Sequence, residues 1–352
     1  MNRPFSPDHS LTRRTFLRGL GGTAALTLAS MPSSRARAQS RTDVTIGYVP
    51  GSIGFADVFV AQERGLFADA GLNVELVAFL NGALAHNALA NGSVDVAPLA
   101  GGYVPFVRPT GLQTRQVAAR TERNPFSLLA RTDLQDEVTS VADLRGRRLA
   151  VEALGSSITW AMGVNYLARA GLNFERDVEL IATNSRAAAV SALRGGRVDA
   201  AVLDGPSDEQ LVQAGDAVRL VDPIDPSDHL KWVGNAREDA LAWLARQDTV
   251  NDRPDALQAL VDAGSQALSF LNERREAGDV ASVADAVAPF FEELDRRLLE
   301  ASLERHLQTI APEASLSWLA YYADLVKWTS LELVQPLSFE EAVTVDFAGV
   351  RA

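Results

Sequence analysis

A twelve-residue pattern occurs twice in this chain at a fixed interval of 104: Ala88-Leu89-x-x-Gly92-x-Val94-Asp95-x-Ala97-x-Leu99 returns as Ala192-Leu193-x-x-Gly196-x-Val198-Asp199-x-Ala201-x-Leu203. Upstream, Ala70-Gly71-Leu72-Asn73 and Val74-Glu75-Leu76-Val77 are echoed by Ala170-Gly171-Leu172-Asn173 and Val178-Glu179-Leu180-Ile181, with Phe174 to Asp177 inserted between the second pair. A duplication of this extent leaves few architectures open. It implies two related units side by side, and the cleft between two such units is a common place to hold a small molecule.

Within each copy, short apolar runs alternate with amphipathic stretches. The first copy reads 44–49, 56–70, 74–79, 82–90 and 94–97, and the second 148–152, 157–170, 178–181, 185–193 and 200–203. A βαβαβ series predicts an α/β fold in which each lobe is a doubly wound, mixed sheet covered by helices. Two connectors should join the lobes. One is expected around Asn124-Pro125, between strand-like runs at 116–119 and 127–131. The return is expected in the turn-rich stretch from Asp204-Gly205-Pro206 to Asp222-Pro223-Ile224-Asp225-Pro226. Lobe 1 is then 39–128 plus 226–352, and lobe 2 is 129–225. Beyond about residue 236 the pattern reads as helices alone, packed on lobe 1. Leu257, Leu260, Val261, Leu268 and Leu271 share one face behind Pro254, and Trp318, Leu319, Tyr322, Leu325 and Val326 share another. Ser338 and Glu341 have the spacing of a capping box.

Residues 1–38 read as an export signal rather than as part of the fold. Thr12-Arg13-Arg14-Thr15-Phe16-Leu17-Arg18 resembles a twin-arginine signature, Gly19 to Met31 is apolar, and Ala36-Arg37-Ala38 is a small-x-small cleavage site before Gln39. The apolar run is too short for a membrane span, which needs about 20 residues, so no stable membrane insertion is expected. A twin-arginine signal implies a folded protein delivered to the periplasm. The chain has no cysteine, which excludes disulfides, thiolate metal sites and a cysteine nucleophile. Its formal charge is −12, with 33 basic and 45 acidic side chains, and removing the Arg-rich signal makes it more acidic still. That balance excludes nucleic acid as a partner.

Catalytic signatures are absent. The chain has no G-x-S-x-G elbow, no phosphate loop and no H-E-x-x-H helix, and His86, His229 and His306 lie in three unrelated contexts. No metal or cofactor is expected. Binding signatures are better placed, because ligands of doubly wound sheets sit beyond the carboxyl ends of the strands. That rule selects Tyr48, Ser52, Ile53, Gly54, Phe55, Asn81, Gly101 and Tyr103 in the first lobe. In the second it selects Gly155, Ser156, Ser157, Ile158, Asn184, Asp204 and Gly205. Gly155 to Thr159 offers two hydroxyls and a helix N-terminus, which suit an anionic group, although either serine could equally cap the helix. Asp95 and Asp199, at equivalent repeat positions, should hold turns. Across the cleft, Asn81 is expected opposite Asn184, Leu99 to Gly101 opposite Leu203 to Gly205, and the Gly51 loop opposite the Gly155 loop.

Taken in order, Gln62-Glu63-Arg64-Gly65-Leu66-Phe67, Gly71-Leu72-Asn73-Val74-Glu75, Ala88 to Leu99, Asp143-Leu144-Arg145-Gly146-Arg147-Arg148, Gly155-Ser156-Ser157 and Gly196 to Pro206 resemble the nitrate/sulfonate/taurine-type solute-binding proteins of ABC importers. The resemblance implies the two-lobed, type II periplasmic-binding fold. It further implies a monomeric, non-enzymatic receptor that hands a small-molecule solute to an ABC permease with its cytoplasmic ATPase. A ligand sensor for a membrane partner and a secreted enzyme are the alternatives on the same fold. Relatives that make a thiamine pyrimidine precursor carry a Cys-rich iron motif that this chain lacks. Sulfonate-binding relatives place Trp-Asp-Pro where this chain has Leu203-Asp204-Gly205-Pro206. Ligand charge therefore stays open between an anion on Ser156 and Ser157 and an amine or hydroxyl on Asp204.

Overall fold

The computed structural model describes residues 41–108, 111 and 113–351. The export signal lies outside the described residues. Ten strands form two five-stranded sheets. The first contains β1 (Thr42–Tyr48), β2 (Leu72–Ala78), β3 (Val96–Ala100), β4 (Thr114–Thr121) and β10 (Leu241–Arg246) in the order β2-β1-β3-β10-β4. The second contains β5 (Ser127–Arg131), β6 (Arg148–Val151), β7 (Glu179–Ala182), β8 (Ala200–Leu203) and β9 (Ala217–Val221) in the order β7-β6-β8-β5-β9.

The two orders are the same topology. In each sheet the central strands are parallel, and one antiparallel strand is inserted next to the third strand of the repeat: β10 beside β3, β5 beside β8. Each inserted strand is the one that has just arrived from the other sheet. The chain leaves the first sheet after Thr121 and enters the second at Ser127, then leaves after Val221 and returns at Leu241. The duplicated motif itself is a helix, a left-handed glycine turn and the third strand. Gly92 and Gly196 have φ of +84° and +65°, a conformation that a Cβ disfavours. A Cβ there would also collide with the guanidinium of Arg246 or Arg131, the last residues of the two inserted strands. Asp95 and Asp199 anchor the first strand of each copy. Asp95 accepts from Thr45 N at 2.8 Å and Asp199 from Arg148 N at 2.9 Å, so both are structural.

Three expectations need correction. The stretch after residue 236 is not helical throughout, because Leu241–Arg246 is a fully paired strand in the heart of the first sheet. Leu241 to Ala245 are all buried, and a short unbroken apolar run has no period that separates a buried strand from a helix. The return connector is also later than expected. Ser207–Gln213 is a helix and β9 an edge strand of the second sheet, so the turn residues between 204 and 222 punctuate elements rather than link lobes. The 128/129 boundary consequently cuts through β5. Finally, helix Trp318–Ser330 buries Ala320, Tyr321, Leu325 and Trp328, and leaves Trp318, Leu319 and Val326 exposed. The helix Pro254–Ala277 does cover the first sheet with the expected face, Gly264 lying against the Trp243 indole of β10. Ser338 and Glu341 form the expected capping box.

Candidate functional site

The carboxyl ends of the repeat strands converge on one another. Four hydrogen bonds cross between the loops of the first sheet and those of the second. Ser52 Oγ donates to Asp204 Oδ2 at 2.7 Å, and Ile53 N to Gly205 O at 2.9 Å. Asn81 Nδ2 donates to Asn184 O at 2.9 Å, and Ile158 N to Tyr103 Oη at 3.2 Å. The expected pairing therefore holds only in the middle. The loop after β1 meets the loop after β8, and the loop after β3 meets the helix that follows β6. This exchange follows from symmetry. Two copies related by a local two-fold axis present the same surface to each other, so position i meets j and j meets i. Only the second-strand loops, with Asn81 on one and Asn184 on the other, meet each other.

Between these contacts is a small cavity of about 30 Å³, room for a water or two. Among the residues singled out from sequence, Ser52, Gly54, Phe55, Tyr103, Ile158 and Asp204 line it. Asn81 and Ser157 are one layer back and serve as helix N-caps, accepting from Leu84 N at 3.0 Å and Trp160 N at 3.1 Å. Ser157 Oγ also donates to Ala153 O at 2.8 Å, which occupies its one proton. Ser156 and Gly155 are exposed on the loop, and neither lines the cavity. Ile53, Asn184 and Gly205 contribute the cross-cleft contacts above. Tyr48 packs among Phe55 and Phe59 at ring distances of 6.0 and 5.8 Å. Gly101 is wedged between Gln116 and the Asp239 backbone. Of the helix-terminus arrangement expected to receive an anion, Ile158 N is held by Tyr103 and Trp160 N by Ser157.

Two residues missed from the sequence dominate the cavity. Arg186 Nε and Nη2 donate to the Asp204 carboxylate, the latter at 3.2 Å, and Arg186 Nη1 lies 3.1 Å from Glu152 Oε1. Glu152 and Asp204 are buried, only 2% and 3% exposed, and Arg186 is 12% exposed. Burial pushes the Glu152 carboxyl above its ordinary range, with Arg186 opposing and Asp204 reinforcing the rise. Burial alone would lower the Arg186 pKa, but Asp204 and Glu152 outweigh it and hold the guanidinium charged. Burial also raises Tyr103, which stays a neutral phenol.

The repeat itself contained the signal for both. Strand registers Ile46↔Val96 and Leu149↔Ala200 make Val49 the counterpart of Glu152. The 104-residue interval makes Gly82 the counterpart of Arg186 and Ala100 the counterpart of Asp204. All six line the cavity. The site is therefore an apolar jaw facing a charged one at equivalent positions. Beneath the apolar jaw, the buried Arg120 donates to Gly54 O at 2.7 Å and Pro98 O at 3.0 Å while paired with Asp57, which fixes two of its lining segments.

No group of three or more His, Cys, Asp or Glu among the described residues is arranged to hold a metal ion. The three histidines of the fold are buried away from one another. Burial lowers His86 to about 3, and His229 and His306 to about 4 each, so all are neutral at physiological pH.

A model of the NMT1-like family matches residues 37–285. Over 209 residues the chain is 34% identical to the nitrate import ATP-binding protein NrtC of Synechococcus elongatus, an alignment that covers 54% of this chain but only 30% of that longer relative. A solved structure from Bordetella bronchiseptica superposes with a TM-score of 0.77 at 25% identity, over 88% of this chain and 96% of that one. The alkanesulfonate-binding protein SsuA of Xanthomonas axonopodis pv. citri superposes at 0.69 with 21% identity, over 87% and 99%. The solved neighbours are mostly binding proteins, but the desulfurization enzyme DszB shares the fold at a TM-score of 0.58 and 18% identity, over 87% and 97%.

Proposed function

The chain belongs to the NMT1-like family, and from that premise we propose that it is an extracytoplasmic solute receptor of an ABC importer, which closes two lobes on a small organic molecule and presents it to a membrane permease. The observation that carries this reading is the meeting of the two strand-end edges around a buried cavity with dissimilar walls. Solute-binding components such as SsuA share the fold, and the NrtC relative belongs to an import system by its name. We take 41–121 with 241–351 as one lobe and 127–221 as the other. The segments Glu122 to Phe126 and Asp222 to Ala240 are then the hinges. Hinge closure is a known route by which ligand contacts move a two-lobed protein between states. Among the described residues no helix is long and apolar enough to cross a membrane, and the twin-arginine signal read from residues 12–18 would deliver the folded protein to the periplasm as a monomeric receptor.

The enzymatic alternative has one observation in its favour, the shared fold of DszB, but the one carboxylate beside the Ser52 hydroxyl in the cavity, Asp204, is already engaged by Arg186. Native mass spectrometry of the protein isolated from the periplasm tests the proposal. A stoichiometric small molecule, released unchanged on denaturation, is expected. Chemical conversion of that molecule during incubation would overturn the receptor in favour of the enzyme.

A further inference from the structure

Resting on the receptor reading above, we propose that the solute is a small organic cation, an ammonium-type nitrogen on a compact apolar body, with the nitrogen held against Glu152 and Asp204. The charge count of the lobe-2 jaw leads there. One guanidinium, Arg186, is set between two buried carboxylates. An incoming oxyanion would have to share that single cation with both of them. Buried charges persist only when compensated. A cationic ligand instead brings the balance of the jaw to neutral.

Hydrogen bonding within the jaw is incomplete. Arg186 spends Nε and Nη2 on Asp204, and the N-terminus of helix Ile158–Arg169 spends its first N–H on Tyr103. Arg186 Nη1 faces Glu152 Oε1 at 3.1 Å and makes no directed hydrogen bond among the described residues. On the acceptor side, Glu152 Oε1 is fully buried and makes no hydrogen bond among the described residues. The jaw thus holds one unsatisfied acceptor beside one unsatisfied donor, and its excess of carboxylate over guanidinium is what the N–H of a cation would answer.

The opposite jaw fits the rest of such a molecule. Val49, Leu99 and Leu241 supply apolar surface, and Phe55 and Tyr103 line the same wall. Arg186 also lines a larger open groove of about 670 Å³ that leads outward past Glu292 and Glu293. Both glutamates are exposed. An acidic mouth on an already acidic protein raises the local concentration of cations and repels anions.

The test is binding to the exported protein of two matched series, followed by calorimetry and thermal shift. Methylamine, cyclohexylamine and benzylamine form one series. Nitrate, cyclohexanesulfonate and benzenesulfonate form the other, with benzyl alcohol as the neutral control. Saturable binding of at least one amine, with no binding of the anions, is expected. The isosteric Glu152→Gln variant should weaken that amine tenfold or more while leaving the melting temperature without ligand nearly unchanged. The exposed pair Glu292→Gln with Glu293→Gln, whose folding is not at risk, should slow amine association at low salt and lose that effect at high salt. Binding of the sulfonates or nitrate in place of the amines would overturn the cation assignment and leave the receptor standing. Failure of every compound, the alcohol included, together with no small molecule carried through native purification, would overturn both.

Discussion

The charge balance of the cleft turns on Arg186, which is 12% exposed and lies between Glu152 and Asp204. Removing one member of a buried ion pair leaves its partners charged and uncompensated, which costs about 3–5 kcal/mol. Arg186→Met should therefore destabilise the fold by about that amount at pH 7, measured by urea unfolding. The deficit should shrink on acidification, as the stranded carboxylates take up protons. A second residue-scale prediction concerns His86, whose pKa burial lowers from 6.5 to about 3. A depressed pKa in a base means that the unfolded chain binds the proton first. The cost of burying His86 is thus absent above pH 6.5 and grows as pH falls from 6.5 towards 3. The stability of wild type relative to His86→Gln should accordingly fall by about 1.4 kcal/mol per pH unit within that window. A difference that is flat across it would show that His86 is already protonated in the folded protein.

At the scale of elements, the two copies meet about a local two-fold axis, with the loops of Asn81 and Asn184 against each other. Asn81 does two things, capping helix Gly82–Asn91 with Oδ1 and reaching across to Asn184 O with Nδ2. Asp is as good an N-cap as Asn but has no amide donor. Asn81→Asp should leave the unliganded melting temperature within a few degrees and weaken ligand binding about two- to twelvefold, the equivalent of one hydrogen bond at 0.5–1.5 kcal/mol. Unchanged affinity would mean that the contact plays no part in closure. Much of this level was legible in the sequence, because a repeat fixes the strand ends that face each other. Ser52, Tyr103 and Asp204 were found that way. The exchange of partners about the axis was not, since spacing along a chain says nothing of the operator that relates two copies. Arg186 escaped for another reason. It sits at the first position of a helix, where an arginine reads as a solvated surface residue, and only comparison with Gly82 marks it as a break in the repeat. Strand β10 was hidden by its complete burial, and Ser157 was legible as a cap but not as a spent donor.

For the whole molecule, each sheet borrows its antiparallel strand from a chain segment that has just crossed over, so β5 and β10 lie at the hinges as well as in the cores. With the lobes divided as proposed, moving one would bend Glu122 to Phe126 and Asp222 to Ala240 and leave both sheets intact. Shifting such an equilibrium from 1:99 to 99:1 takes about 5.5 kcal/mol of differential affinity. A few hydrogen bonds to charged groups, at about 1.5–3 kcal/mol each, are enough. The cavity of about 30 Å³ must widen to admit any organic solute, so opening is part of the cycle. Because the chain has no cysteine, Glu63→Cys and Ser191→Cys, both exposed and in different lobes, give two unique labelling sites. The decisive measurement is the energy transfer between dyes at these positions during titration with a bound amine. A saturable change in the inter-lobe distance, at the same midpoint as calorimetric binding and absent with benzenesulfonate, is predicted. Saturable binding with no change in distance would contradict a receptor that works by closing its two lobes.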